Sequence, residues 1–134
     1  GLMTDLLPMA EKAKLETALR QRFTALLEEV REDLLKSDDD RAAMLADRVR
    51  DVGDESMADL IVDLDLADTD RDLRELKDVE AALTRMRLGT YGTCMHWGGP
   101  IRAERLAAYP TAKRCQPCQA LYEKTFAQEG HASL

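Results

Sequence analysis

At 134 residues the chain has room for one compact domain, or for one small domain carrying an extended element. With 45% hydrophobic, 4% aromatic and 34% charged residues it lacks the apolar mass of a large globular core, whereas elongated helices with narrow apolar seams need less. The net charge of −7 excludes a surface that grips nucleic acid all over, and no apolar run approaches the ~20 residues of a membrane span.

No basic segment followed by an apolar stretch and a cleavage site opens the chain, so the expected location is the cytoplasm. From about Met9 to Lys36 the pattern is helical: Leu15, Leu19, Phe23, Leu26, Val30 and Leu34 recur at spacings of three and four, with charged residues between them. Ser37-Asp38-Asp39-Asp40 interrupts this stripe with residues that cap helices, and Ala42, Leu45, Val49 and Val52 resume it. One long helix with a defect near Ser37 is predicted.

Gly53, inside Asp51-Val52-Gly53-Asp54, marks a tight reversal. A second helical pattern follows. Met57, Leu60, Leu64 and Ala67 step by three and four, and Leu73, Leu76, Val79, Leu83 and Met86 do so in a shifted frame, as along a coiled-coil seam. Leu88-Gly89 ends it, glycine being the common residue just past a helix. Two such helices joined by a turn predict an antiparallel hairpin, and an arm of about 30 residues projects on the order of 45 Å. Between Asp51 and Asp78 eleven Asp or Glu stand against three Arg or Lys, so the far half of the hairpin is strongly acidic.

From Gly89 onward the composition changes. This part holds all three cysteines, both histidines, the only tryptophan and three of the four prolines, and Arg102, Arg105, Lys113, Arg114 and Lys124 make it locally basic. Gln116 to Gln128 reads as a final helix packing back on the base of the hairpin. Three cysteines in a chain with no export signal suggest metal or thiol chemistry rather than a disulfide framework. Cys115-Gln116-Pro117-Cys118 can hold one Zn²⁺ at ~2.3 Å, with a second pair completing the tetrahedron. The natural partner is the turn from Tyr91 to Gly98, but Trp97 occupies the place of its second cysteine, and an indole does not ligate zinc.

The residues Tyr91-Gly92-x-Cys94, Gly98-x-x-Ile101 and Arg105-Leu106-x-Ala108-x-Pro110-Thr111-Ala112-x-x-Cys115-x-x-Cys118 resemble the DksA/TraR zinc-finger family. The resemblance covers roughly Met9 to Lys124, tightly in the cysteine-bearing knob and loosely in the arm. It implies a mostly α protein with a coiled-coil hairpin over 9–88, its tip near 51–56, and a zinc-finger-like domain with a C-terminal helix over 89–134. It also implies direct binding to RNA polymerase, with the coiled coil inserted into the secondary channel. The family's tip motif is Asp-x-x-Asp-x-Ala. Here Asp51 and Asp54 match it and Ser56 replaces the alanine, at the place where periodicity alone puts the turn.

Cys94, Cys115 and Cys118 match three of the family's four metal ligands. His96, one residue from the missing position, is the candidate fourth, giving a Cys₃His zinc site. Two alternatives stay open: a metal-free knob in which Trp97 fills the space apolarly, and a redox knob in which Cys115 and Cys118 form a reversible disulfide. Family members that respond to guanosine tetraphosphate use a lysine late in the second coil, an arginine just before Pro-Thr and a lysine just after the last cysteine. The matching residues are Asp78, Tyr109 and Gln119, so synergy with this nucleotide is not expected, Lys77 and Arg114 being the nearby cations that could substitute. With no phosphate loop, nucleophile motif or His/carboxylate cluster, the expected function is non-catalytic transcription regulation. The competing readings are a helical adaptor docking another complex and a DNA-binding zinc module, which the acidic arm disfavours. An intrachain hairpin favours a monomer.

Overall fold

The computed structural model describes residues 8–51, 57–66 and 73–132, with no side-chain description for Ala58 and for 127–132. Among the described residues six helices follow in chain order: α1 Met9–Leu35, α2 Asp40–Asp51, α3 Met57–Leu66, α4 Arg74–Leu88, α5 Ala103–Ala108 and α6 Gln116–Ala132. Among the described residues the β pairing is one antiparallel bridge, Thr93 with Pro100, and no helix is long and apolar enough to cross a membrane. The chain divides into two compact units, Ala18–Ala81 and a second made of Gly1–Thr17 with Ala82–Leu134.

In the first unit the apolar stripe of the sequence is the buried seam. Leu19, Leu26, Val30 and Leu34 of α1, Leu45, Ala46 and Val49 of α2, Leu60, Ile61 and Leu64 of α3, and Leu76 and Val79 of α4 are all buried. The defect near Ser37 is a full break between two helices. Ser37 Oγ accepts the Asp39 N–H at 3.2 Å, and Asp39 Oδ1 accepts the Arg41 N–H at 2.9 Å, so Asp39 caps the start of α2. Arg22 pairs with Glu75 and Arg48 with Asp63, both at 2.6 Å. Early residues of the first leg thus meet late residues of the second, the order of an antiparallel helical hairpin.

The second leg is formed by α3 and α4, whose buried residues follow the two frames read from the sequence. Leu64 and Leu73 are both buried, at 1% and 6% exposure. Nine residues of α-helix turn through about 900°, which would place these two leucines on opposite faces. Leu73 is non-helical and α4 starts at Arg74; residues 67–72 lie outside the described residues. Lys77 Nζ on α4 reaches Asp65 Oδ2 on α3 at 2.5 Å.

In the second unit α4 stops where glycine was expected to stop it. The Thr90 N–H donates to the Arg85 carbonyl at 2.9 Å and the Gly89 N–H to the Met86 carbonyl at 3.3 Å, with Gly89 at φ 77°. This is the Schellman closure that only a residue at ease with positive φ makes without strain. Beyond it a small core forms from Cys94, Ile101, Leu106 and Ala112, against which Leu15, Tyr91, Cys115 and Cys118 pack. The final helix departs from expectation. It is anchored by its first turn, with Cys118 and Gln119 half-buried, but every residue from Ala120 to Phe126 is exposed, so this stretch does not pack back on the hairpin base.

Candidate functional site

Two loops bring the cysteines together. In the first, the Cys94 N–H donates to the Gly99 carbonyl at 2.7 Å and the Gly98 N–H to the Cys94 carbonyl at 2.9 Å, folding residues 94–99 into a tight turn with Gly98 at φ 84°. The Ile101 N–H donates to the Gly92 carbonyl at 2.7 Å and closes its base. The second loop leads into α6. The Gln119 N–H bonds the Cys115 carbonyl at 2.9 Å, so Cys115 stands immediately before the helix and Cys118 in its first turn. A bond from the Met95 N–H to the Lys113 carbonyl, 2.8 Å, ties the two loops to each other.

The Sγ atoms of Cys94, Cys115 and Cys118 lie within 4.8 Å of one another. Tetrahedral zinc with ~2.3 Å bonds to sulfur sets its sulfurs roughly 3.8 Å apart, so the cluster is of the right size, and thiolates are donors that zinc accepts. Burial pushes the Cys94 thiol up, but amides of Cys115, Trp97 and His96, together with the Cys118 thiol, hydrogen-bond its sulfur and bring it down to about 7. Cys118 moves the other way, to about 12, because its hydrogen bond to Cys115, its burial and its contact with Cys94 all favour the proton. By the size of the cluster and the chemistry of its donors, the residues fit a metal that would be held by Cys94, Cys115 and Cys118. A structural zinc, when bound in such a site, contributes folding free energy directly.

The fourth position is where the structure departs from the expected sites. His96 is exposed and stands outside the cluster. Trp97 does not fill the space apolarly. It is 59% exposed, with its ring laid over Gly99 so closely that a Cβ there would fall 1.8 Å from Cη2. The metal-free alternative built on Trp97 packing is therefore corrected: the core beneath the cysteines is Ile101, Leu106 and Ala112, and the indole lies on the surface.

The specific run after Arg105 has a structural basis that spacing alone did not reveal. Arg105 Nε donates to the Arg114 carbonyl at 2.9 Å and braces the residue before Cys115. Leu106 is fully buried and Ala112 nearly so. The Tyr91 hydroxyl donates to the Pro110 carbonyl at 2.8 Å, and burial raises Tyr91 to about 12. These side chains set the loop that presents Cys115, and their signal lay in their co-occurrence with the cysteines.

Asp51 is the last residue of α2 and is exposed, its Oδ1 receiving Arg50 Nε at 3.1 Å. Asp54 and Ser56 lie outside the described residues. Among the positions matched to nucleotide response, Asp78 is half-buried on α4, Tyr109 is 61% exposed with Arg105 5.7 Å from its ring centre, and Gln119 bonds Arg114 and Glu123.

Residues 89–124 match the family model of the prokaryotic dksA/traR C4-type zinc finger. The RNA polymerase-binding transcription factor DksA of Caulobacter vibrioides is 33% identical over 101 residues, which are 74% of this chain and 66% of that protein. The DksA of Haemophilus influenzae is 37% identical over 60 residues, 45% of this chain and 41% of that protein. Among solved structures, the transcription factor DksA2 of Pseudomonas aeruginosa is 28% identical, with 90% of this chain and 93% of that one covered at a TM-score of 0.40. The chain thus spans just under two thirds of the Caulobacter relative. On its zinc-finger match, its relatives and its clustered cysteines, the chain belongs to the DksA/TraR family.

Proposed function

We propose that this protein is a non-catalytic transcription regulator that binds RNA polymerase directly, the helical hairpin entering the secondary channel with Asp51, Asp54 and Ser56 at its tip. The observation that carries the reading is the zinc-finger match over residues 89–124, joined to a relative that bears the name of an RNA polymerase-binding transcription factor. The antiparallel order of the Arg22–Glu75 and Arg48–Asp63 pairs supports it, since a hairpin presents the end of its first leg at its tip. Asp51 ends α2 with an exposed carboxylate, suited to act electrostatically near a metal-bearing active centre. In this reading the hairpin occupies 9–88 and the zinc-finger-like domain 89–134, and the knob seats on the polymerase while the tip acts.

The test is co-purification of the full chain with RNA polymerase core enzyme, compared with its retention on DNA at moderate salt. Retention by the enzyme and not by DNA is expected. Binding to DNA alone, or to neither, would remove the reading.

A further inference from the structure

The three-cysteine cluster raises a question that the family pattern does not answer, namely what completes it. Among the described residues no histidine, aspartate or glutamate joins the three sulfurs. Position 97, where the family pattern calls for the fourth cysteine, carries an indole with no lone pair to give. That ring is turned onto Gly99 and is 59% exposed. The His96 side chain is exposed and is not among the ligand atoms that cluster with the three sulfurs. The loop therefore holds Cys94 in place and supplies no fourth side chain.

We propose that the knob is a three-thiolate metal site, formed by Cys94, Cys115 and Cys118, whose fourth coordination position is left to an exchangeable donor from solvent. Water is the resting occupant, and a small thiol displaces it. The inference rests on the zinc-site reading above and deepens it. Zinc with four protein ligands is closed, whereas zinc with three keeps a position for water or another molecule. Three thiolates and one Zn²⁺ leave a net charge of −1, and a fourth thiolate remains compatible with this metal's preference for sulfur. The exposure of residues 95–98 gives a small donor access from solvent.

The experiment uses the full chain, freed of metal and kept reduced with a phosphine so that no thiol is added, then loaded with Co²⁺ or with ¹¹³Cd²⁺. The optical bands of the cobalt form and the cadmium resonance report how many sulfurs surround the metal. The expected result is one metal per chain with three sulfurs and one oxygen. His96→Ala should leave the spectra unchanged. Trp97→Cys should move them to a four-sulfur signature, and adding β-mercaptoethanol to the parent protein should move its spectra toward the same signature. A nitrogen ligand lost in His96→Ala would overturn the proposal, as would a four-sulfur signature in the parent protein or one metal shared by two chains. Each of those results leaves the zinc site standing, whereas failure to take up any metal would overturn both.

Discussion

Arg22 and Glu75, 53 residues apart in sequence, meet in a two-pronged ion pair, with Nε and Nη2 of the arginine each 2.6 Å from a different oxygen of the carboxylate. Both side chains are about half exposed, so the pair adds little stability. Its fork geometry fixes register instead, because the two contacts are satisfied together only at one alignment of α1 and α4.

The Arg22 hydrogen bond holds the Glu75 carboxyl below its ordinary value of 4.5, against a smaller opposing effect of burial. A depressed carboxyl contributes stability that is fully present above the unfolded-state value and is lost as pH falls through the folded-state one. Glu75→Gln should therefore lower the melting temperature slightly at about pH 7 and by less at about pH 3, as the carboxyl becomes protonated. Thermal unfolding of both proteins at the two pH values checks this, and an equal gap at both would show that the pair is not the cause.

Replacing Asp51 and Asp54 together by Asn should leave binding to RNA polymerase intact and reduce the effect on transcription. Asp51 is exposed, so its share of any stability change should stay within about 0.5 kcal/mol. Parallel binding and in vitro transcription assays decide the matter. Full transcriptional activity in the double variant would remove the tip assignment.

Cys115→Ser should abolish stoichiometric zinc and loosen the knob while the hairpin seam keeps its helices. Elemental analysis of protein purified without chelator, circular dichroism and cleavage by trypsin near Lys113 and Arg114 report the three effects. Near-zero zinc in the parent protein with a protease-resistant knob would show that the Ile101, Leu106 and Ala112 core holds the loops without metal.

Leu106→Ala tests the same core from its apolar side. The side chain is fully buried, and truncation at such sites typically costs about 2–5 kcal/mol through lost burial and a residual cavity. Denaturant unfolding of the metal-loaded protein should show this loss; a change under ~1 kcal/mol would mean that metal rather than packing dominates knob stability.

Guanosine tetraphosphate should add nothing to the effect of this protein. Asp78 is anionic, and Tyr109 and Gln119 carry no positive charge where nucleotide-responsive relatives are expected to use cations. The nearby cations are engaged elsewhere: Lys77 lies 2.5 Å from Asp65, and the Arg114 guanidinium stacks 3.8 Å above the Tyr122 ring. Transcription from a ribosomal-type promoter, with protein, nucleotide or both and with polymerase lacking any other nucleotide site, is the measure. An effect of the pair clearly above that of the protein alone would point to Lys77 or Arg114 as the contact.

Much of the molecule was legible in the sequence because its determinants are local. The apolar spacing of α1 needs only helical geometry, the Leu88-Gly89 stop needs only a positive φ, and a C-x-x-C pair at a helix start carries its own ligand spacing. Other features depend on contacts between distant segments, and only the tertiary structure decided them. Periodicity recorded the shifted frame between Leu64 and Leu73 but could not say whether the helix would continue or break, since that follows from both leucines having to be buried. Spacing offered His96 and Trp97 as occupants of the fourth position. Where their side chains go was decided by the turn over residues 94–99, closed by backbone bonds between Cys94, Gly98 and Gly99, which leaves His96 exposed and lays the indole on Gly99. The exposure of Ala120 to Phe126 was likewise invisible in the sequence, because a helical stretch does not itself state whether another element reaches it.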